Sequence, residues 1–285
     1  MSPEPLSQQQ STRAWDVRRF EENGTQLFND VVVREDPLEI RIAFGSSGNR
    51  TEMPLSITMR TPGDDIDLAI GFLITEGIVH TVKDIVSAEQ TSENVVVANL
   101  HPEFVFIPEK IQRHFYTTSS CGICGKASID MVRQVSSYRL IPGQPEISYP
   151  SLLRMGEILR NAQPVFTATG GIHASALFNV ECQLLCIKED IGRHNAMDKM
   201  IGWAATQQLL PLANHIVVVS GRGGFELVQK ALSAGVAVFA AVGAPSSLAL
   251  ELAAESDMTV AGFLRDDRVN VYTHAERVKS VIGNR

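Results

Sequence analysis

The second half of this 285-residue chain alternates strand-like and helix-like segments, and this alternation constrains the fold more than any other feature. From residue 165 onward, stretches rich in Val, Ile and Ala such as HIVVVSG, VAVFAAVG and MTVAGFL are separated by helical patterns. Strands that alternate with helices form βαβ crossovers, which place helices on both faces of a largely parallel sheet. We therefore predict a three-layer α/β domain over residues 127–285.

The first half has a different pattern, which predicts a smaller α+β domain over residues 15–111. Strand patterns VVVRE, LEIRIAF and MPLSITMR precede the helical pattern IDLAIGFLITEGIV, and the strand patterns VVVANL and EFVFI follow it. Asp64 and Asp65 stand where a helix N-cap is expected. The polar residues 1–14 are expected to form a mobile leader. The predicted fold class is thus α/β with two domains.

Residues 112–126, QRHFYTTSSCGICGK, are predicted to form a loop because they lack periodicity and are rich in Ser, Thr and Gly. Cys121 and Cys124 in this loop are the candidate catalytic residues. A C-x-x-C pair flanked by glycine suits a carrier thiol, a zinc site, a redox pair or a purely structural role. The chain has no second such pair, and a thioredoxin-like pair would begin a helix after an early strand. A carrier thiol is therefore favoured, and no metal is predicted.

Composition limits the classes of function. The net charge of −7 argues against a general nucleic-acid binder, because such proteins carry a basic surplus. No apolar run approaches the roughly 20 residues that span a bilayer, so we expect no membrane contact and a cytoplasmic location. Cysteines in that compartment stay reduced. Cys182 and Cys186 are expected to pack on one face of a strand.

Polar segments follow the predicted strands, and they form the candidate binding site. In an open α/β sheet, ligands collect beyond the carboxyl ends of strands, where glycines and helix N-termini present free N–H groups. Arginines at such turns supply the positive charge that phosphates require. Ordinary capping, surface charge or a structural histidine are the alternatives. The candidate binding residues in these segments are Arg193, His194, Ser220, Arg222 and Gly223. Gly171 and His173 join them from the start of a predicted strand, where flexible glycines let the backbone approach a ligand.

The glycine-rich turn at Gly221 to Gly224 matches neither G-x-G-x-x-G nor the G-x-x-x-x-G-K-[ST] phosphate loop, which disfavours dehydrogenases and ATPases. Zinc deaminases carry a P-C-x-x-C motif together with H-x-E. Here the cysteine pair follows Ser120 and precedes the α/β domain. Deaminase activity is therefore not expected.

Five segments together resemble one known family. CGICG, GGIHASALF, EDIGRHNAMDK, SGRGGFELVQKA and AGFLRDDRVNVYTH occur in this order, and the chain resembles the formate dehydrogenase accessory sulfurtransferase family, FdhD/NarQ. The resemblance implies a cytoplasmic homodimer that takes sulfur from a cysteine desulfurase onto a Cys121 persulfide. The sulfur then passes to the bis-molybdopterin guanine dinucleotide molybdenum cofactor, which formate dehydrogenase needs for activity, and GDP is expected to mimic that cofactor.

The resemblance also implies a cytidine-deaminase-like fold for the second domain. It places a nucleotide-cofactor segment on Phe263, Leu264, Arg265, Asp266, Asp267 and Arg268. Carboxylates repel phosphates but can accept hydrogen bonds from a guanine edge, so backbone contacts are expected here. Two other functions remain open: a non-catalytic chaperone for the molybdenum cofactor, and a thiol-disulfide oxidoreductase.

Overall fold

The computed structural model describes residues 8–108 and 138–280. It contains a six-stranded sheet, a four-stranded sheet and two two-stranded sheets. These sheets and the helices packed on them confirm the mixed α/β class. The loop that carries Cys121 and Cys124 lies outside the described residues, as do residues 1–7 of the predicted leader. The domain division at residues 112–126 therefore stays a prediction.

The N-terminal part holds a long ribbon and a four-stranded sheet. Its elements are α1 (Gln8–Ser11), β1 (Thr12–Glu21), β2 (Gly24–Val33), β3 (Asp36–Phe44), β4 (Thr51–Arg60), α2 (Asp65–Thr75), β5 (Ile85–Ser92) and β6 (Val95–Leu100). Strands β1 and β2 pair antiparallel as the ribbon, and the sheet has the order β4-β3-β6-β5. Strand β1 begins inside the predicted leader, so residues 12–14 belong to the folded part of the chain.

One local prediction for this part is wrong, and another is confirmed in position but not in its hydrogen bonding. The EFVFI segment forms no strand, since its backbone pairs with no strand in the described part of the chain. Its apolar pattern reflects packing on the core instead, and the ring centroids of Phe106 and Phe44 lie 4.7 Å apart. Asp64 does hold the N-cap position, but it adopts a left-handed conformation with φ of 55° and makes no side-chain capping bond. Its carboxylate instead pairs with Lys188 at 2.6 Å.

The C-terminal part alternates strands and helices as predicted. Its elements are β7 (Ile147–Ser148), α3 (Tyr149–Asn161), α4 (Pro164–Thr169), β8 (His173–Asn179), β9 (Leu184–Asp190), α5 (Arg193–Thr206), β10 (His215–Val219), α6 (Phe225–Ser233), β11 (Val238–Ala241), α7 (Ser247–Glu255), β12 (Thr259–Gly262), β13 (Asn270–Val271) and β14 (Val278–Lys279). The six-stranded sheet has the order β13-β12-β11-β10-β8-β9. Strand β7 pairs with β14.

The prediction of a largely parallel sheet is wrong. In the described sheet, β10, β11 and β12 run parallel to one another, whereas β8, β9 and β13 pair antiparallel with their neighbours. The reason is the connection between β8 and β9, which spans residues 180–183. A link this short closes a hairpin, because a parallel crossover needs a dozen or more residues.

Helices cover both faces of the six-stranded sheet. Val217, Val219 and Phe239 face a core that includes residues of α5, α6 and α7. Their strand neighbours Ile216 and Val218 face a second core, which includes residues of α3. Since successive side chains of a strand point to opposite faces, the near-continuous apolar runs of these strands reflect burial on both sides.

Helices α2 and α5 join the two parts of the chain by an unusually close crossing. A Cβ atom placed on Gly71 would lie 1.8 Å from the carbonyl oxygen of Asp198, and one on Gly202 would lie 1.9 Å from that of Asp67. Both positions therefore require glycine. The first core also contains Ile70 and other buried residues of the N-terminal part. The two predicted domains thus share a core.

Cys182 and Cys186 do not share a packed face as predicted. Cys186 is buried in the first core, and burial raises the pKa of its thiol to about 12. Cys182 lies in the tight turn after β8 with φ of 67°, joins the second core, and points its thiol at the carbonyl of Ser151. The turn breaks the strand alternation on which the prediction depended.

Candidate functional site

The predicted binding segments come together at one edge of the six-stranded sheet. Strand β8 runs antiparallel to β10, with Ser175 opposite Val219, so β8 begins where β10, β11 and β12 end. Strand β9 ends at the same edge, since Asp190 lies opposite His173. We call this region the polar edge; it comprises residues 171–173, 190–195, 220–226, 243–246 and 263–268.

Backbone hydrogen bonds hold the turns of the polar edge to one another. Gly243 donates to the carbonyl of Gly221 at 2.8 Å, and Phe263 donates to that of Gly243 at 3.1 Å. A Cβ on Gly243 would lie 2.9 Å from the Gly221 oxygen, so this approach requires glycine. The N–H of Gly223 donates to Ala244 at 3.1 Å. That N–H is therefore committed within the protein, unlike the free donor expected at a phosphate site.

His173 forms one wall of the polar edge. A Cβ on Gly221 would lie 3.3 Å from its Nδ1 atom, which shows how closely the ring packs on the glycine turn. The pKa of His173 is lowered by burial and then by the positive charges of Arg193 and His194. The imidazole is thus held neutral beside two basic residues. Gly171, which precedes it, is exposed.

Ser220 fixes the adjoining strand end. Its N–H donates to the carbonyl of Ala174 at 3.0 Å, and its Oγ accepts from the N–H of Ala174 at 2.8 Å. Because Oγ acts as an acceptor in this contact, the hydroxyl proton of Ser220 can be donated to a ligand. The Arg222 side chain in the next turn is exposed.

The first turns of α5 and α6 are linked by a hydrogen-bonded contact between His194 and Glu226 that was not predicted from sequence. His194 Nε2 lies 2.7 Å from a carboxylate oxygen of Glu226. The pKa of Glu226 is lowered chiefly by the hydrogen bond from His194, and the nearby charge of Arg193 contributes. Arg193, His194 and His173 therefore form one electrostatic group, with Glu226 beside His194 and the buried carboxylate of Asp190 acting on His173.

A buried network sets the position of the turn that carries Arg193 and His194. Asp190 accepts hydrogen bonds from the N–H of Gly192 at 2.8 Å and from Asn195 Nδ2 at 3.1 Å. Its other oxygen accepts from the N–H of Thr61 at 3.1 Å and pairs with Lys199 at 2.7 Å. Much of the EDIGRHNAMDK segment thus has a structural role, which sequence reasoning did not detect. The dense run of polar residues directly after a strand was the available signal.

In the segment from Phe263 to Arg268, some side chains make contacts within the protein and others are exposed to solvent. Leu264 is buried in the second core, so its side chain contacts no ligand. Arg265 folds back, donating from Nη1 to the carbonyl of Val242 at 2.7 Å, and Asp266 is bound by Arg160. Asp267 and Arg268 are exposed and lie 3.4 Å apart. Phe263 has a left-handed φ of 52° and an exposed ring.

The polar edge therefore presents cationic groups, a neutral imidazole and an exposed aromatic ring. These groups suit an anionic ligand with a planar base. Within residues 8–108 and 138–280, no three His, Cys, Asp or Glu side chains are grouped so as to hold a metal ion. Among the helices described, none is long and apolar enough to cross a membrane.

The fold and the polar edge together define a mixed α/β protein with a candidate binding site at one edge of its six-stranded sheet. The sequence pattern of the FdhD/NarQ family matches residues 33–279. The chain belongs to this family. The match confirms the resemblance to this family that the five sequence segments show.

Relatives from bacteria and archaea support the assignment. The chain is 45% identical over 258 residues to the sulfur carrier protein FdhD of Mycolicibacterium paratuberculosis, covering 87% of this chain and 92% of the relative. It is 38% identical over 267 residues to that of Saccharolobus solfataricus, covering 93% and 98%. A crystal structure described as a formate dehydrogenase accessory protein from Desulfotalea psychrophila superposes with a TM-score of 0.75 at 21% identity, covering 94% of this chain and all of that one. The last likeness shows the fold.

Proposed function

We propose that this protein is a cytoplasmic sulfurtransferase that carries sulfur from a cysteine desulfurase to the bis-molybdopterin guanine dinucleotide cofactor required by formate dehydrogenase. The observation that supports the proposal most directly is the convergence of Arg193, His173 and the Arg222 turn at one sheet edge. Members of the same family are named sulfur carrier proteins. The proposal joins this pocket to the thiol chemistry of Cys121.

The residues of the polar edge fit a guanine dinucleotide as the client substrate. Its phosphates would take the positive charge of Arg193 and Arg222, which arginine delivers through several N–H donors. Within the part of the chain that the structure describes, the hydroxyl of Ser175 is buried without a hydrogen-bond partner and lies on the strand that carries His173. The Phe263 ring and the carboxylate of Asp267 would suit the purine base and its N–H groups.

Cys121 would carry the sulfur. Its thiolate attacks the outer sulfur of a persulfide on the desulfurase, a sulfur–sulfur bond forms on Cys121, and the desulfurase cysteine leaves as a thiolate. Cys124 would assist release or resolve the persulfide. On transfer, the sulfur–sulfur bond would break with Cys121 leaving as a thiolate, and the client's reduced molybdenum, a thiophilic centre, would take the sulfur and supply the two electrons that make it sulfide. Both cysteines lie outside the described residues.

Intact mass spectrometry tests the carrier step. After incubation with a cysteine desulfurase and cysteine, the wild-type protein should gain the mass of one or more sulfur atoms. The gain should vanish on reduction and in Cys121→Ala, while Cys182→Ala keeps it. If wild type gains no sulfur yet binds GDP, the protein is a cofactor-binding chaperone. Turnover on protein disulfides without a sulfur adduct would indicate a thiol-disulfide oxidoreductase.

Two structural expectations belong to the same proposal. The cytidine-deaminase-like fold is supported by the β8–β9 hairpin followed by strand-helix units over β10, β11 and β12. The homodimer is supported by the exposed apolar residues Trp15, Phe20 and Leu27 on the β1–β2 ribbon. Sedimentation equilibrium of the full chain should give twice the monomer mass, and a monomer mass would contradict the dimer.

A further inference from the structure

Glu226 places a negative charge at the solvent-exposed surface of the polar edge. It lies in the first turn of α6, and its carboxylate reaches the first turn of α5, 2.7 Å from His194 Nε2. Its side chain is 63% exposed, so the acid faces solvent and any arriving ligand. Helix N-termini attract anions. A carboxylate at two such termini therefore occupies a place that a ligand phosphate would favour.

This carboxylate stays ionised near neutral pH. The hydrogen bond from His194 lowers the pKa of Glu226, burial opposes this, and the charges of His194, Arg193 and Lys230 lower it further. Other acids belong to the same edge: the buried Asp190 acts on His173, while Asp266, which is paired with Arg160, and Asp267 are exposed. The cations of the edge are thus partly balanced within the protein, and the site has limited capacity for additional negative charge.

We propose that Glu226 is a specificity-determining residue that favours pyrophosphate diesters, such as a guanine dinucleotide, over nucleoside triphosphates. The inference depends on the proposed function, because it assumes that phosphates bind at the polar edge. A pyrophosphate diester carries about two negative charges, whereas a triphosphate carries about four because its terminal phosphate has a second pKa of about 6. Repulsion from Glu226 grows with ligand charge, so the triphosphate loses more affinity.

The position of Glu226 is not explained by the stability of its helix alone. An acid in a first helical turn is ordinarily a small stabilising feature. Here the same acid engages the histidine of a neighbouring helix at the candidate binding site. Free nucleoside triphosphates would compete for any guanine pocket, and a fixed negative charge excludes them without weakening contacts to the base. Specificity of this kind comes from repulsion of the wrong ligand.

The test compares two guanosine ligands, GDP-mannose as the pyrophosphate diester and GTP as the triphosphate. Dissociation constants are measured by calorimetry without magnesium for the full chain and for Glu226→Gln, which keeps a hydrogen-bond partner for His194. The matched control is Glu255→Gln, which removes the same charge from the exposed last residue of α7, at the far end of that helix. Glu226→Asp serves as the charge-keeping variant.

Wild type should bind GDP-mannose more tightly than GTP. In Glu226→Gln the affinity for GTP should rise roughly three- to tenfold, while that for GDP-mannose rises less, so the preference shrinks. Glu255→Gln and Glu226→Asp should keep the wild-type preference. An unchanged ratio in Glu226→Gln would overturn the inference and leave the pocket standing. Failure of wild type to bind either ligand would overturn the pocket and the inference together.

Discussion

Lys199 and Asp190 form an ion pair of 2.7 Å in which both side chains are fully buried. Lys199 also donates to the carbonyl of Thr61 at 2.8 Å, which lies in the N-terminal part of the chain. The pair thereby connects the two parts of the molecule beneath the turn that carries Arg193. Buried charges of this kind tolerate the loss of one partner poorly, because the other is left in an apolar environment.

Replacing Lys199 with Met should therefore lower the free energy of unfolding by about 3–5 kcal/mol. Urea denaturation of the purified variant measures the change. The matched control is Lys279→Met, because Lys279 pairs with Glu146 at the surface at 3.1 Å. An exposed pair contributes about 0–1 kcal/mol, and equal losses in the two variants would contradict the role given to the buried pair.

At the α2–α5 crossing, the addition of one methyl group should lower the free energy of unfolding strongly. In Gly202→Ala the added carbon would overlap the carbonyl oxygen of Asp67, so the helices must separate and the free energy of unfolding should fall by about 3 kcal/mol or more. Gly224→Ala is the control, because a Cβ there meets no atom within 4 Å. Thermal unfolding of both proteins provides the comparison, and a Gly202→Ala protein as stable as wild type would show that the crossing is looser than described.

Much of the C-terminal fold was predictable because its signals are local. The alternation predicted from residue 165 onward corresponds to strands β8 to β12 with α5, α6 and α7 between them, and the apolar runs of β10 and β11 are visible as doubly buried strands. The β1–β2 ribbon was predicted only at its end, because the VVVRE pattern covers residues 31–33 of β2 and no other part of the ribbon. Its residues are largely exposed on both faces, so the alternation that marks a half-buried strand is lacking.

The meeting of these segments at one sheet edge was predictable from the sequence, and the side-chain contacts between them were not. Turns that follow strands meet at a sheet edge by geometry, so Arg193 and Arg222 could be placed at the same edge from spacing alone. The hydrogen-bonded contact between His194 and Glu226 depends on how two helices pack on the sheet, which no local pattern encodes. Leu264 was included in the binding segment but serves the core, because backbone direction after β12 decides where that side chain points.

We expect His215 to lower the stability of the protein in mild acid. Burial lowers its pKa below the ordinary value of 6.5, and its Nδ1 has no hydrogen-bond partner in the described part of the chain. The unfolded chain then binds the proton more readily, so stability is full above 6.5 and falls as the pH drops toward the folded pKa. His173 acts in the same direction.

The measurement is the free energy of unfolding by urea between about pH 7.5 and pH 5.5. In His215→Gln the fall across this range should be smaller than in wild type, because one of the groups that binds a proton on unfolding is gone. At pH values where the histidine is neutral in both the folded and the unfolded state, the free energies of unfolding of the two proteins should differ by a constant amount. Identical pH slopes would show that His215 does not contribute.

The arginines of the polar edge should control nucleotide affinity. GDP should raise the melting temperature of wild type, and Arg193→Ala or Arg222→Ala should weaken GDP binding about tenfold, the expected loss for one charge-assisted phosphate contact. Arg18→Ala, which removes an exposed arginine from β1, is the control. Unchanged GDP affinity in both edge variants would mean that the phosphates bind elsewhere.

The most direct measurement of the central proposal follows labelled sulfur from donor to client. The protein is loaded by a cysteine desulfurase with radioactive cysteine sulfur, freed of donor, and mixed with formate dehydrogenase that contains unsulfurated cofactor. The label should move to the cofactor with a matching rise in formate oxidation, should fail to load on Cys121→Ala, and should transfer slowly from Arg193→Ala. Label that stays on the protein while the enzyme becomes active would contradict the carrier role.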